Sequence, residues 1–80
     1  MNRYQIWDTP SSTLLFESEK LQDTADELQG VIESGGRDIL NDISLSIKDI
    51  DDGRIRLYEG ESVERALQEL LTLEGAPHQS

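Results

Sequence analysis

Cysteine is absent from this chain and histidine occurs once, as His78. Disulfides are thereby excluded, and so is a structural zinc site built on His and Cys. No stretch approaches the roughly 20 consecutive apolar residues that a membrane-spanning helix needs. The opening MNRYQIWDTP lacks an apolar secretory core, and no Asn-x-Ser/Thr sequon occurs. The expectation is a cytoplasmic address. Positive charge is scarce: seven Lys and Arg stand against 17 Asp and Glu, a formal net charge of −10. That balance disfavours indiscriminate binding to nucleic acid or anionic lipid. It serves solubility, and with lysine only at Lys20 and Lys48 it would also suit a salt-rich cytosol.

What is present points to a small folded globule. Eighty residues hold one core and not two, and Ile, Leu and Val are spread evenly along the chain. A domain this small has a thin stability margin, and without disulfide or zinc the remaining common device is self-association. In RYQIWDTPSSTLLFES, Tyr4 and Ile6 share one face and Leu14 and Phe16 another run of the same face, on either side of the turn formers TPSS. The pattern predicts a β-hairpin. SEKLQDTADELQGVIESGG changes period, with Leu21, Ala25, Leu28 and Ile32 on one helical stripe. Ser18 or Asp23 is the expected start cap and Gly35 or Gly36 the left-handed stop.

After the connector RDILN, alternation resumes. Ile43, Leu45 and Ile47 form a face, DDG turns the chain, and Ile55 and Leu57 are expected to continue that face. ESVERALQELLTL is a second helix, with Ser62 as the expected N-cap and Val63, Leu67, Leu70 and Leu71 inward. The expected fold is α+β: ββαββα, a four-stranded, mainly antiparallel sheet with two helices on one face. The domain is expected over residues 1–73, with 74–80 as a mobile C-terminal tail. Shifted by 41 residues, Ile6 and Asp8 fall on Ile47 and Asp49, and Leu14 and Phe16 on Ile55 and Leu57. A shared ββα plan accounts for that likeness as well as duplication does.

The register of the second hairpin decides which residues face solvent. Setting Ile47 beside Leu57 leaves Asp51-Asp52-Gly53 as a three-residue loop with Gly last, in the left-handed conformation. The open face then carries Arg3, Gln5 and Trp7, then Thr13, Leu15 and Glu17, then Asp42, Ser44, Ser46 and Lys48, and finally Arg54, Arg56 and Tyr58. Four bases and two acids fall there, so the face is expected at +2 and the remainder at −12. Lys48 would stand opposite Arg56, a destabilising like-charge pair. An uncovered, weakly basic, part-aromatic face has the composition of a binding surface. The contrary reading is that long basic side chains merely lie over the sheet and shield Trp7.

Catalytic chemistry finds no support. Counting back from Gly53 puts Lys48 and Ile50 where a calcium loop needs oxygen ligands, so Asp49, Asp51 and Asp52 are read as turn formers. Asp8 and Asp49 match between the halves, yet β-α-β connectivity makes the first and third strands oppose, which sends the two carboxylates to opposite edges. His78 lies in the expected tail, with no held partner for acid–base work. SGGRD is too short for a phosphate loop and follows no strand. No enzyme, cofactor, metal or small-molecule substrate is expected.

The opening YQIWDTPSSTLLFES, with a helix and then ISLSIKDIDDGRI, resembles a group of short bacterial proteins of unknown function. Their pattern is matched by Tyr4, Trp7, Asp8, Thr9, Leu14 and Leu15, and later by Asp51, Asp52 and Gly53. The resemblance covers roughly residues 3–70. It implies the fold and carries no activity or catalytic residue with it.

The expected function is a small acidic protein-interaction module using Trp7, Leu15, Lys48, Arg54, Arg56 and Tyr58, with a protein partner or a second copy in a homodimer. One rival is a single-stranded nucleic-acid binder that stacks bases on Trp7 and Tyr58 and sets arginines on phosphate; the overall charge opposes it. Another is an acidic neutraliser that turns its helical faces to a basic partner protein.

Overall fold

The structure, a computed structural model, describes residues 1–75, with side chains through Leu73. The expected mobile tail beyond residue 75, His78 included, lies outside the described residues. Four strands form one antiparallel sheet: β1 (Asn2–Asp8), β2 (Thr13–Ser18), β3 (Ile43–Asp49) and β4 (Ile55–Glu59). The helices are α1 (Leu21–Gly35) and α2 (Glu61–Gly75), and a 3-10 turn, Arg37–Asp42, precedes β3. The order ββαββα and the α+β class are those the hydropathy pattern predicts. α2 extends two residues past the expected domain boundary at 73.

The spatial strand order is β2-β1-β3-β4. β1 and β3 are central and β2 and β4 are the edges. Tyr4 and Ile6 of β1 and Ile43, Leu45 and Ile47 of β3 are all buried, and Leu21, Leu28, Val63 and Leu67 cover them from the helices. Both helices therefore lie on one side of the sheet, α1 over β1 and β2 and α2 over β3 and β4. Asp8 pairs with Ile43 and Asn2 with Asp49, so Asp8 and Asp49 stand at opposite ends of the central ladder.

Several local features differ from the expectations. α1 starts after Lys20 with no side-chain cap; the Ser18 hydroxyl instead accepts from the Lys20 N–H at 3.0 Å. Thr24, which the hydrophobic stripe omits, is fully buried, and its hydroxyl donates to the Lys20 carbonyl at 3.0 Å. That bond removes the cost of burying it. Gly36, at φ +82°, ends the helix and donates its N–H to Ile32. Leu40, from the connector, is buried in the core. Ser62 is not the N-cap of α2: it sits in the first turn and donates to the Glu59 carbonyl at 2.5 Å. Gly60, at φ +62°, reverses the chain into that helix.

The two hairpins share one loop design. Asp8 pairs with Thr13 across the four residues 9–12, and the Asp49 N–H donates to the Arg54 carbonyl across the four residues 50–53. The last loop residue is left-handed in both, Ser12 at φ +55° and Gly53 at φ +78°. These are the positions that the 41-residue shift superposes. Asp49 Oδ1 accepts from the Asp51 and Asp52 N–H groups at 2.9 and 3.4 Å, and Asp52 Oδ1 from the Arg54 N–H at 2.8 Å. Side-chain acceptors for loop amides are what aspartates offer at turns. They stabilise a loop one residue longer than the expected three.

Candidate functional site

That extra residue turns β4 over. Ser46 pairs with Leu57, Lys48 with Ile55 and Ser44 with Glu59. Because side chains alternate, a one-residue slip moves every one to the other face. Ile55 and Leu57, expected inside, stand 63% and 61% exposed. Tyr58, opposite Leu45, packs half-buried against the core cluster. Arg56, opposite Ile47, projects on the helix side and stays exposed at the edge, and Arg54 lies exposed at the loop with its Nε 3.6 Å from Asp52. Of the six expected surface residues, Trp7, Leu15 and Lys48 lie together on the open face. Arg54, Arg56 and Tyr58 do not. The expected Lys48–Arg56 repulsion does not arise either, since the two point to opposite sides.

β2 also changes the face. Ile6 pairs with Phe16 but Trp7 with Leu14, which leaves Leu15 as the extra residue of a bulge opposite Trp7. Two residues then oppose one, and both Leu14 and Leu15 are exposed, at 41% and 47%. Leu14, expected to continue inward with Phe16, is an outward residue.

The open face can be read as three rows across the strands. One row is Glu17, Gln5, Ser46, Leu57, and the next is Leu14, Trp7, Ser44, Glu59. The third is Arg3, Lys48, Ile55, with Glu19 beyond Arg3. Gln5 Nε2 donates to Glu17 at 2.6 Å and Arg3 Nη2 to Glu19 at 3.3 Å. Trp7 and Leu57 flank a shallow depression of about 300 Å³ floored by Ser44 and Ser46. Two bases, Arg3 and Lys48, balance two acids, Glu17 and Glu59, on the strands of this face. The expected +2 becomes zero, and the −10 resides elsewhere. The signals that mark Ile55, Leu57 and Leu14 as outward residues are the Asp49 side chain, which lengthens the loop, and the adjacent leucines in β2.

A second concavity, about 370 Å³, runs between the helices and is lined by Leu28, Ile32, Leu67, Leu71, Arg37 and Glu64. Its polar end is closed by a two-pronged pair, Arg37 to Glu64 at 2.6 and 3.1 Å. The hydrogen bond from Arg37 holds the Glu64 carboxyl below its ordinary range, and Glu64 raises Arg37 in turn. Each charge is occupied by the other, so the groove offers no unpaired charge of theirs to a ligand. Among the described residues, no group of three or more His, Cys, Asp or Glu is placed to hold a metal ion, and no helix is long and apolar enough to cross a membrane. Among the described residues, neither concavity is lined by His, Cys or Lys.

No family model, curated protein or solved structure matches this chain.

Proposed function

We propose that this chain is a non-catalytic protein-interaction module that docks through the uncovered face of its sheet. The observation that carries this reading is that Trp7, Leu14, Leu15, Ile55 and Leu57 share that face while both helices occupy the other side. Fully burying a leucine or isoleucine is worth about 1.5–3 kcal/mol. A chain this small gains nothing for its own stability by leaving four of them in water. An aromatic and aliphatic patch with a polar rim is the anatomy of a protein interface. Arg3, Lys48, Glu17 and Glu59 supply such a rim.

A reader of single-stranded nucleic acid would use Trp7, Tyr58 and the two arginines together, and the sheet separates them. The acidic-neutraliser reading uses the helical faces instead, and the same experiment tests it. A photo-crosslinking residue is placed singly at Leu57, at Leu15 and, on the exposed side of α1, at Gln29, and expressed in the source cells. Adducts to protein are expected from Leu57 and Leu15 and not from Gln29. The reverse pattern overturns the reading in favour of the helical surface.

A further inference from the structure

Resting on that reading of the open face, we infer that its partner is a second copy of this chain, packed face to face about a two-fold axis along the diagonal of the sheet. One axis matches the face to itself better than the others. Three inter-strand steps of about 4.8 Å and two same-face steps of about 6.8 Å make both sides of the patch about 14 Å. It is therefore close to square, with four distinct corners. Leu14 and Leu15 occupy one corner and Ile55 the diagonally opposite one; Glu59 marks a third, and Glu19, just past β2 and bonded to Arg3, marks the fourth.

A two-fold axis through the Glu19 and Glu59 corners exchanges the other two. Leu14 and Leu15 then land on the partner's Ile55, Trp7 lands on the partner's Leu57, and Glu17 lands between the partner's Arg3 and Lys48. Apolar groups meet apolar groups and Glu17 meets bases, while Gln5 and Ser46 meet their own copies near the centre. Glu19 and Glu59, on the axis, meet their own copies at the exposed corners, where water screens them and Arg3 accompanies Glu19. The other axes fail. One along the strands sets Leu14 and Leu15 on Glu59, and one across them sets the same leucines on Glu19. The second diagonal places Lys48 on Leu57 and Trp7 on Glu17. The surviving arrangement crosses the two sheets at near right angles, one of the two ways in which sheets stack.

Charge agrees with a second copy, and area makes the association weak. Two chains of net charge −10 repel over most of their surfaces, and the open face, with Arg3 and Lys48 against Glu17, Glu19 and Glu59, is where they can approach at least cost. With half a spacing added at each edge the face projects roughly 400 Å², about 800 Å² for the pair, below the roughly 1,000 Å² of a stable interface and in the range of weak, transient association. A weak, reversible dimer follows.

The test uses the purified full chain. Sedimentation equilibrium from about 1 μM to about 1 mM is expected to show monomer passing to dimer. Because the sequence has no cysteine, engineered thiols report geometry cleanly: Leu15→Cys and Ile55→Cys proteins, mixed and oxidised, are expected to form the mixed disulfide in preference to either homodisulfide. Glu17→Lys and Lys48→Glu each weaken the dimer about 10-fold, and the double variant restores it to within about 3-fold. Leu15, Ile55, Glu17 and Lys48 are all exposed, so the variants fold. Monomer mass at every concentration overturns self-pairing; crosslinks from Leu57 to other proteins would then still uphold the interaction reading, and their absence would remove both. A dimer that instead forms a Leu57→Cys homodisulfide is joined along the β4 edge and overturns the diagonal geometry.

Discussion

Leu45 and Tyr58 face each other across β3 and β4, and Tyr58 is the residue that β4 gives to the core. Its neighbour Leu57 consequently stands in water on the side of Trp7. The pairing ties the fold to the proposed function, since whichever of the two adjacent residues turns inward decides what the open face is made of.

Leu57→Gln is expected to change stability by no more than about 0.5 kcal/mol, because an exposed surface position has little packing to lose. Leu45→Ala, at a site with no exposure, is expected to cost about 2–5 kcal/mol. Tyr58→Ala falls between them, at roughly 2 kcal/mol. Urea denaturation of the three variants checks the order. A large loss at Leu57 with a small one at Tyr58 would mean the opposite register.

Ser12 and Gly53 hold equivalent left-handed positions, and only one of them is glycine. The left-handed conformation costs a residue with a Cβ about 1–2 kcal/mol. Ser12→Gly is expected to stabilise the domain by about 0.5–1 kcal/mol, part of the strain relief being offset by the greater entropy of glycine in the unfolded chain. Gly53→Ala is expected to destabilise it by about 1 kcal/mol or more. Thermal unfolding of the pair measures both signs.

Gly30 lies mid-helix in α1, exposed, and a Cβ added there meets nothing within 4 Å. Gly30→Ala is expected to stabilise by about 1 kcal/mol through backbone entropy alone. Oligomeric state should not change, because α1 lies on the opposite side of the sheet from the proposed docking face.

The Arg37–Glu64 pair gives a pH dependence of defined sign. Glu64 is lowered from an ordinary carboxyl value of 4.5 by the hydrogen bond from Arg37. A depressed folded-state pKa stabilises fully above the unfolded value and loses that contribution as pH falls through the folded one. The chain's overall negative charge works the other way, since acid relieves self-repulsion. The difference between the parent protein and Glu64→Gln isolates the pair: the parent's advantage is expected to be constant at neutral pH and to shrink below about pH 4.5.

The fold was legible because its signals repeat. Leu21, Leu28, Val63 and Leu67 mark two helical stripes, and Tyr4, Ile6, Leu45 and Ile47 mark the buried strand positions, so strand and helix order and the covered side follow from period alone. The edge strands were not legible in the same way. RIRLYE alternates in both phases, Ile55 and Leu57 in one, Arg56 and Tyr58 in the other, and hydropathy favours the wrong one. The choice is made by hydrogen bonds of Asp49 and Asp52 to loop amides, which hydropathy does not weigh. TLLFES likewise hides its bulge, because Leu14 and Leu15 are equally apolar. Hydropathy alternation puts Trp7, Leu15 and Lys48 on the open face through β1, β2 and β3, and it puts Arg54, Arg56 and Tyr58 there only through the wrong register of β4.

The register of β4 is open to one direct measurement. The Asp49 N–H to Arg54 carbonyl bond makes Asp49–Arg54, Ile47–Arg56 and Leu45–Tyr58 the hydrogen-bonded pairs, so Ser46–Leu57 is a non-hydrogen-bonded pair with its Hα atoms close together. A nuclear Overhauser experiment on the purified chain is expected to show a strong cross-strand Hα–Hα contact between Ser46 and Leu57, and another between Lys48 and Ile55. A pattern that instead sets Ile47 opposite Leu57 would return Leu57 to the core and leave the open face without the apolar corner on which the docking reading depends.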